Sequence, residues 1–365
     1  MPEMHRFFER RIMIQNYLPR YTIGTDAFEQ IKDVVAVYGN KVGLLYGEKA
    51  YAASKEKLLP ALNGLNIVFE RVYGKEASYT HIDSILTEPK IRDVDFLIGV
   101  GGGKALDVTK VVGDKLNKPV FTVASIASTC AAVTKISILH NDDGSFKEIY
   151  RLKSAPVHCF IDPEIIVNAP AKYFWAGMGD TMAKHVESVF SSKNDELDFE
   201  SLYGVTVSDL CYEPILKKGV KAYEDVKNHV VSDEVSDVIK SIIIATGSVS
   251  LSVNPDYNSA LAHALYYGLT VREWMERKHL HGEIVSYGTL VQLLLDEQYE
   301  ELRRVYDFNK SVGLPVCLKD LDLEKDDPLD DVLDATIVNQ ELDHIPYPIT
   351  KQMVKETILK LEDYK

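Results

Sequence analysis

The sequence is poor in cysteine, in positive charge and in long apolar runs, and each shortage removes a class of function. Only four cysteines occur, Cys130, Cys159, Cys211 and Cys317, and no two form a C-x-x-C pair. They read as the reduced thiols of a cytoplasmic protein. Lysine and arginine number 41 against 55 aspartates and glutamates, a net charge of −14. A general nucleic-acid or anionic-membrane binder needs a cationic face, so neither partner is expected. No stretch reaches the roughly 18 apolar residues of a membrane span, and the opening MPEMHRFFERR has no apolar signal-peptide core. Internal repeats, low-complexity tracts and Ser/Gly-rich linkers are missing too. What remains is a 365-residue chain, 46% hydrophobic and 26% charged, long enough for two globular domains.

Pattern supplies the rest. Over the first 160 residues, short apolar runs alternate with amphipathic stretches. KVGLLYG (41–47), NIVFERVYG (66–74), VDFLIGVGGG (94–103) and PVFTVAS (119–125) read as buried strands. AFEQIKDVVAVYG (27–39) and KALDVTKVVGDKL (104–116) read as helices between them. This alternation predicts an α/β domain with a parallel sheet covered on both faces. KISILHNDDGSFKEIYRL (135–152) breaks the rhythm as a hairpin turning at Asp143-Gly144. After CFIDPEIIVNAPAKYF (159–174) the chain reads as one helix after another, at 174–192, 237–253, 258–277, 284–313 and 350–364. A boundary near residue 163 therefore separates a domain over 1–163 from an all-helical domain over 164–365. With no linker the two should abut and form a cleft, a favoured ligand site.

The stretch that asks for a ligand is LIGVGGGKALDVTK (97–110). Its G-x-G-x-x-K misses the last glycine of the dinucleotide fingerprint, and a P-loop fails at Ile98 and Ala105. Glycines between an apolar strand and a helix still let an anion approach the helix N-terminus, where unpaired N–H groups and the dipole favour it. A plain tight turn is the alternative. Glu48 follows the glycine that ends an earlier strand, where an acid can bind a ribose and repel a 2′-phosphate; alone it reads equally as a solvated loop residue. SIASTCAAVTKIS (125–137) is small and hydroxyl-rich, fit for a crevice or for ordinary turns. Asp180, His263 and His281 could ligate a metal, but separations of 83 and 18 residues match no compact motif, and His185 and His279 are equal contenders.

Taken together, GVGGGKALDVTK, SIASTCAAVTKIS, LHNDDGSF, DPEIIVNAPAKYFWAGMGDTMAKH, ALAHALYYGLT and HGEIVSYGTLVQL carry a family resemblance. Over nearly its whole length the chain resembles the iron-containing alcohol dehydrogenases, in their glycerol-dehydrogenase-like branch, relatives of dehydroquinate synthase. The resemblance implies a Rossmann-like N-terminal domain and a helical C-terminal domain. It implies NAD as cofactor, with NADP the alternative, its diphosphate on Gly102, Gly103 and Lys104. Glu48 then falls at the ribose, and Ser125, Ser128, Thr134, Ile136 and His140 at other cofactor positions. Asp180, His263 and His281 fall on the ligands of one divalent metal, zinc foremost, with iron or manganese also suiting the set.

Departures from the family pattern bear on the substrate. Lys184 stands where the iron-type members carry a fourth ligand, a histidine. Glycerol dehydrogenases read STDAP where this chain has STCAA, so Cys130 replaces the aspartate that would hold a glycerol hydroxyl. STCAA followed by T-x-x-S, and GDTMAK, are more similar to the hydroxycarboxylate dehydrogenases of the same family. The expected reaction is hydride transfer between nicotinamide and a small hydroxy or oxo compound, here a 2-hydroxy or 2-oxo acid. Lys184, one helical turn after Asp180, would take the carboxylate; pairing with Glu187 is the structural alternative. A true glycerol dehydrogenase is the nearest other reading. A dehydroquinate-synthase-like lyase and a non-catalytic nucleotide-binding protein are more distant. The lyase would need more cations near the site than Arg272, Arg277 and Lys278. The expected partners are the small substrate and further copies of the chain in a symmetric homo-oligomer.

Overall fold

The computed structural model describes residues 18–364, so the reading of MPEMHRFFERR concerns residues outside it. Six strands form one parallel sheet: β1 (Tyr21–Ile23), β2 (Lys41–Tyr46), β3 (Asn66–Val72), β4 (Phe96–Gly101), β5 (Val120–Ala124) and β8 (His158–Ile161). Their spatial order is β1-β8-β5-β4-β2-β3. A separate antiparallel pair, β6 (Ile136–His140) and β7 (Phe146–Arg151), makes the expected hairpin, with Gly144 at φ +92° in its turn.

The four strands read from the sequence lie at the centre or on one flank of this sheet. Every residue of β4 and β5 is buried. Strands covered on both faces lose the apolar–polar alternation and become continuous apolar runs, which is how they appear in the sequence. From β2 the chain steps outward to β3, whereas from β4 it steps the other way to β5 and later to β8. The order reverses between β2 and β4. In open parallel sheets the crevice at the carboxyl ends of such a pair is where ligands bind.

The segment 27–39 is not one helix. It is a chain of short pieces, Ala27–Gln30, Ile31–Val35 and Ala36–Tyr38, the outer two of 3-10 type. Val34, Val35 and Val37 are β-branched and lose side-chain freedom in a regular helix, which weakens it.

Beyond residue 163 the chain is helical. The helices at 258–277 and 284–313 are each interrupted, contrary to the sequence reading. The first divides into Leu261–Leu269 and Trp274–Lys278, the second into His281–Leu295 and Tyr299–Val312. At the second break Glu297 takes φ +56° and Asp296 turns to bind Lys193 and Tyr347, so polar capping contacts replace helix continuation. The helical stretch Asp233–Ser252 is long and apolar enough, by length and composition, to cross a membrane. It is 67% buried inside the protein, as a core helix is.

The largest apolar cluster joins both halves. Ala124, Ala127, Ala132 and Ile161 from the sheet side pack with Met178, Met182, Leu261 and Tyr287 from the helices. Within it His281–Leu295 is the central helix, buried at almost every position from Gly282 to Leu293. Two crossings seat it. A Cβ on Gly282 would lie 2.0 Å from the Ala176 carbonyl oxygen, and one on Gly288 would lie 2.5 Å from the Ala262 carbonyl oxygen. Backbone thus touches backbone at both neighbours, the helix Lys172–Ser191 and the helix Leu261–Leu269.

Gly282→Ala should therefore force the first crossing apart. Overpacking of this kind destabilises by about 1–3 kcal/mol. Urea unfolding followed by circular dichroism should show a lower midpoint, and an unchanged midpoint would contradict this account of the crossing.

Candidate functional site

The two crossings assemble a cluster. Asp180 lies on Lys172–Ser191, His263 on Leu261–Leu269, and His281 is the first residue of His281–Leu295. His281 Nε2 is 3.3 Å and His263 Nε2 is 3.5 Å from Asp180 Oδ1. The three donor atoms all lie within 4.8 Å of one another. A tetrahedral ion with donors about 2.1 Å away has donor–donor edges of about 3.4 Å, so this spacing suits one.

Behind His263 stands a carboxylate that sequence reasoning did not assign to the site. Glu187 is fully buried, and its Oε2 lies 2.6 Å from His263 Nδ1. Its Oε1 accepts the backbone N–H groups of Ala260 (2.8 Å) and His263 (2.9 Å), which ties down the start of the histidine's helix. With Nδ1 turned to Glu187, Nε2 is the ring nitrogen that faces Asp180 and would give up its proton to ligate an ion. Metal-bound histidines use a carboxylate in this way to fix tautomer and ring orientation. The one available signal was spacing: Glu187 follows Asp180 by seven residues, two helical turns on the same face.

Burial disfavours charge on Asp180, yet hydrogen bonds from His263 and His281 outweigh it and hold the carboxyl well below its usual range. Burial likewise opposes charge on His263, but the negative charge of Glu187 and the contact with Asp180 raise its pKa. Two carboxylates thus surround one imidazole. The donor chemistry fits a divalent transition-metal ion.

The contenders from the sequence lie elsewhere. His185 Nδ1 is 2.8 Å from Ser208 Oγ, and its ring stacks on Tyr212. His279 Nδ1 is 2.9 Å from Glu283 Oε1, at the start of the next helix. Arg272, Arg277 and Lys278 are paired with Asp331, Glu273 and Asp322. Lys184 does not pair with Glu187. Its ammonium donates to the Asn258 carbonyl and lies 3.4 Å from Asn258 Oδ1. Cys130 lies near both Lys184 and Asp180, and burial pushes its thiol up to about 11, so it stays protonated at neutral pH.

The positions implied for a dinucleotide meet at the sheet's reversal point. The Gly47 N–H donates to the Val100 carbonyl (3.0 Å) and the Ser125 N–H to the Gly101 carbonyl (3.1 Å), so the loops after β2, β4 and β5 lie side by side. Gly102 caps the helix Gly103–Leu116, and Glu48, exposed, begins the helix Glu48–Ala61. A Cβ on Gly102 would strike Ile126 at 2.6 Å, whereas one on Gly103 would meet only ordinary contacts with Thr129 and Ala131. Packing explains the first glycine; the second leaves room for an approaching group. Thr134 is buried, and Ile136 and His140 are the ends of β6, with the Ile136 carbonyl accepting from the buried Lys110. Ser128 backs onto the metal-side helix, its Cα 2.9 Å from where a Cβ on Gly177 would sit. Lys104 does not point freely at the helix mouth. Its Nζ is 2.5 Å from Glu76 Oε2, and Glu76 Oε1 is 3.3 Å from His140 Nδ1. Glu76 is a second residue that the sequence reading missed.

Comparison with known proteins bears on the family and the fold. The family model for iron-containing alcohol dehydrogenase matches residues 19–163. Hydroxycarboxylate dehydrogenase A of Escherichia coli (strain K12) is 32% identical over 325 residues, covering 88% of this chain and 89% of that protein. Glycerol dehydrogenase of Thermotoga maritima is 32% identical over 327 residues, covering 85% and 88%. Among solved structures, a probable glycerol dehydrogenase from Sinorhizobium meliloti 1021 superposes with a TM-score of 0.82 at 25% identity, covering 96% of this chain and 99% of that one.

The cluster makes a quantitative claim. Ala at Asp180, His263 or His281 should abolish stoichiometric zinc binding in a chain that stays folded. Glu187→Ala should weaken zinc about ten- to a hundredfold while leaving all three donors in place. Competition with a chromophoric chelator measures both, and wild-type affinity in Glu187→Ala would remove Glu187 from the site.

Proposed function

We propose that this chain, which belongs to the iron-containing alcohol dehydrogenases and is a metal-dependent, NAD-linked oxidoreductase of that family, interconverts small 2-hydroxy and 2-oxo carboxylic acids. One observation carries the choice of substrate. The ammonium of Lys184, one turn from Asp180, is held by two neutral oxygens of Asn258 and by no carboxylate among the described residues. Its charge is left for an anionic group. The protonated thiol of Cys130 offers a polyol hydroxyl only a weak partner.

Asp180, His263 and His281 would hold the divalent ion, zinc by preference, with iron and manganese suiting the same donors. When bound, the ion supplies Lewis acidity toward the substrate oxygen, and the nicotinamide supplies or accepts the hydride. The chain's own residues position the reactants. The amides at Gly102 and Gly103, with Lys104, would take the diphosphate. Glu48 would accept hydrogen bonds from the ribose and repel a 2′-phosphate. Lys184 would orient the substrate's carboxylate so that its neighbouring carbon faces the ring. The glycerol dehydrogenase of Thermotoga maritima, as similar as the hydroxycarboxylate enzyme, keeps glycerol as the second reading.

Initial rates on 2-oxo acids, glycerol and dihydroxyacetone separate the two. Lys184→Met should cost the 2-oxo acids about 2 kcal/mol in kcat/KM, the scale of a lost charge-assisted hydrogen bond, and spare neutral aldehydes. Faster turnover of glycerol than of any 2-hydroxy acid would return the chain to the glycerol dehydrogenases. Glu48→Gly should narrow or reverse a preference for NAD over NADP, and a wild-type preference for NADP would refute that role.

A further inference from the structure

The helix that carries His263 opens to solvent in one place. From Leu261 to Leu269 every residue is buried except His263 and Tyr267. They are four apart, hence neighbours on one face. A molecule that reaches His263 along this helix passes the ring of Tyr267. The Tyr267 hydroxyl has no hydrogen-bond partner among the described residues, so contact with its neighbours rests on the ring.

Facing that ring is Phe146, the first residue of β7, from the other half of the chain. The ring centroids are 6.2 Å apart and tilted by 60°. Phe146 is 46% exposed. Its hairpin also carries Ile136 and His140, two positions that the family resemblance assigns to the dinucleotide. Tyr266 packs on Tyr267 and also edge-on against His281, at 5.1 and 4.3 Å. Tyr267 is thus one helical turn beyond His263, with Phe146 of the other half against its ring, and Asn258, the anchor of Lys184, lies before the start of the same helix.

We propose that Tyr267 and Phe146 form an aromatic gate that sets the length of substrate the site accepts. A short oxo compound fits between the cluster and the rings, and a longer carbon chain collides with them. The gate rests on the reading that the Asp180–His263–His281 cluster receives the reacting oxygen, and it extends that reading from the head of the substrate to its tail.

The test uses the zinc- and NADH-loaded protein and two probes: oxamate, an unreactive isostere of a short 2-oxo acid, and N-butyloxamate. Calorimetry should show wild type binding oxamate about tenfold or more tightly than the butyl form, the scale on which a pocket rejects extra methylenes. Tyr267→Ala and Phe146→Ala should each bring the two affinities to within about threefold, and Tyr267→Phe, which keeps the ring, should retain the wild-type ratio. Zinc stoichiometry is measured on every variant. The kcat/KM ratio of propanal to hexanal is measured in parallel, since it does not depend on a carboxylate. If neither oxamate binds but the aldehyde ratio falls in both Ala variants, the acid reading fails and the gate stands. A ratio unmoved in both series, with zinc still bound, overturns the gate, as does wild type that takes both chain lengths equally.

Discussion

The rest of the structure depends on the close seating of one helix, His281–Leu295, against two others. Gly282 lets it touch the backbone of Lys172–Ser191, and Gly288 lets it touch that of Leu261–Leu269. Each crossing sits beside a ligand. Gly282 follows His281 directly, and a Cβ there would also come within 3.0 Å of Asp180 Cβ. Gly179, which precedes Asp180, would clash with the Gly282 carbonyl at 2.5 Å if it bore a Cβ. The donor spacing is therefore set by backbone packing in a fully buried core, which deforms far less than a loop does.

A second constraint joins this cluster to the sheet. The segment 125–134 leaves the carboxyl end of β5, covers Gly102 with Ile126, and lays the Ala127 carbonyl 2.6 Å from where a Cβ on Gly177 would be. One short stretch thus touches the helix mouth on one side and the Asp180 helix on the other. Val133 continues it against Gly247 in the helical half. The small side chains of SIASTCAAVTKIS let the Ala127–Ser128 backbone approach that of Gly177, while Ile126 and Val133 fill the space against Gly102 and Gly247.

How much was legible follows from the kind of signal each element leaves. β2 to β5 are apolar, four of them in a row, each ending near glycine or serine, and they were read. β1 and β8 were not; at three and four residues they are too short to show a period, and only pairing with each other and with β5 makes them strands. The interruption at Glu297 comes with local polar contacts of Asp296, which a hydrophobic pattern does not encode. The ligands were harder still. Asp180, His263 and His281 come from three helices, so no spacing links them, and resemblance to a family was the only route. Glu187 and Glu76 were missed because a carboxylate in a sequence reads as surface; that each is buried against a histidine is a property of the packed chain alone.

Charge balance ties the cluster to the proposed substrate. Glu187 is fully buried and Asp180 nearly so, and buried charges persist only when paired. With both imidazoles neutral and ligating, a doubly charged ion offsets these two carboxylates. Lys184 then stands as an extra positive charge beside the site, fixed by neutral oxygens that satisfy its hydrogen bonds without cancelling it. A neutral polyol would leave that charge uncompensated. A substrate carboxylate would cancel it, and beside a partly buried cluster that difference is felt more strongly than at the open surface. A thiol held protonated at Cys130 adds no negative charge to compete for Lys184, whereas an aspartate at that place would neutralise the lysine itself.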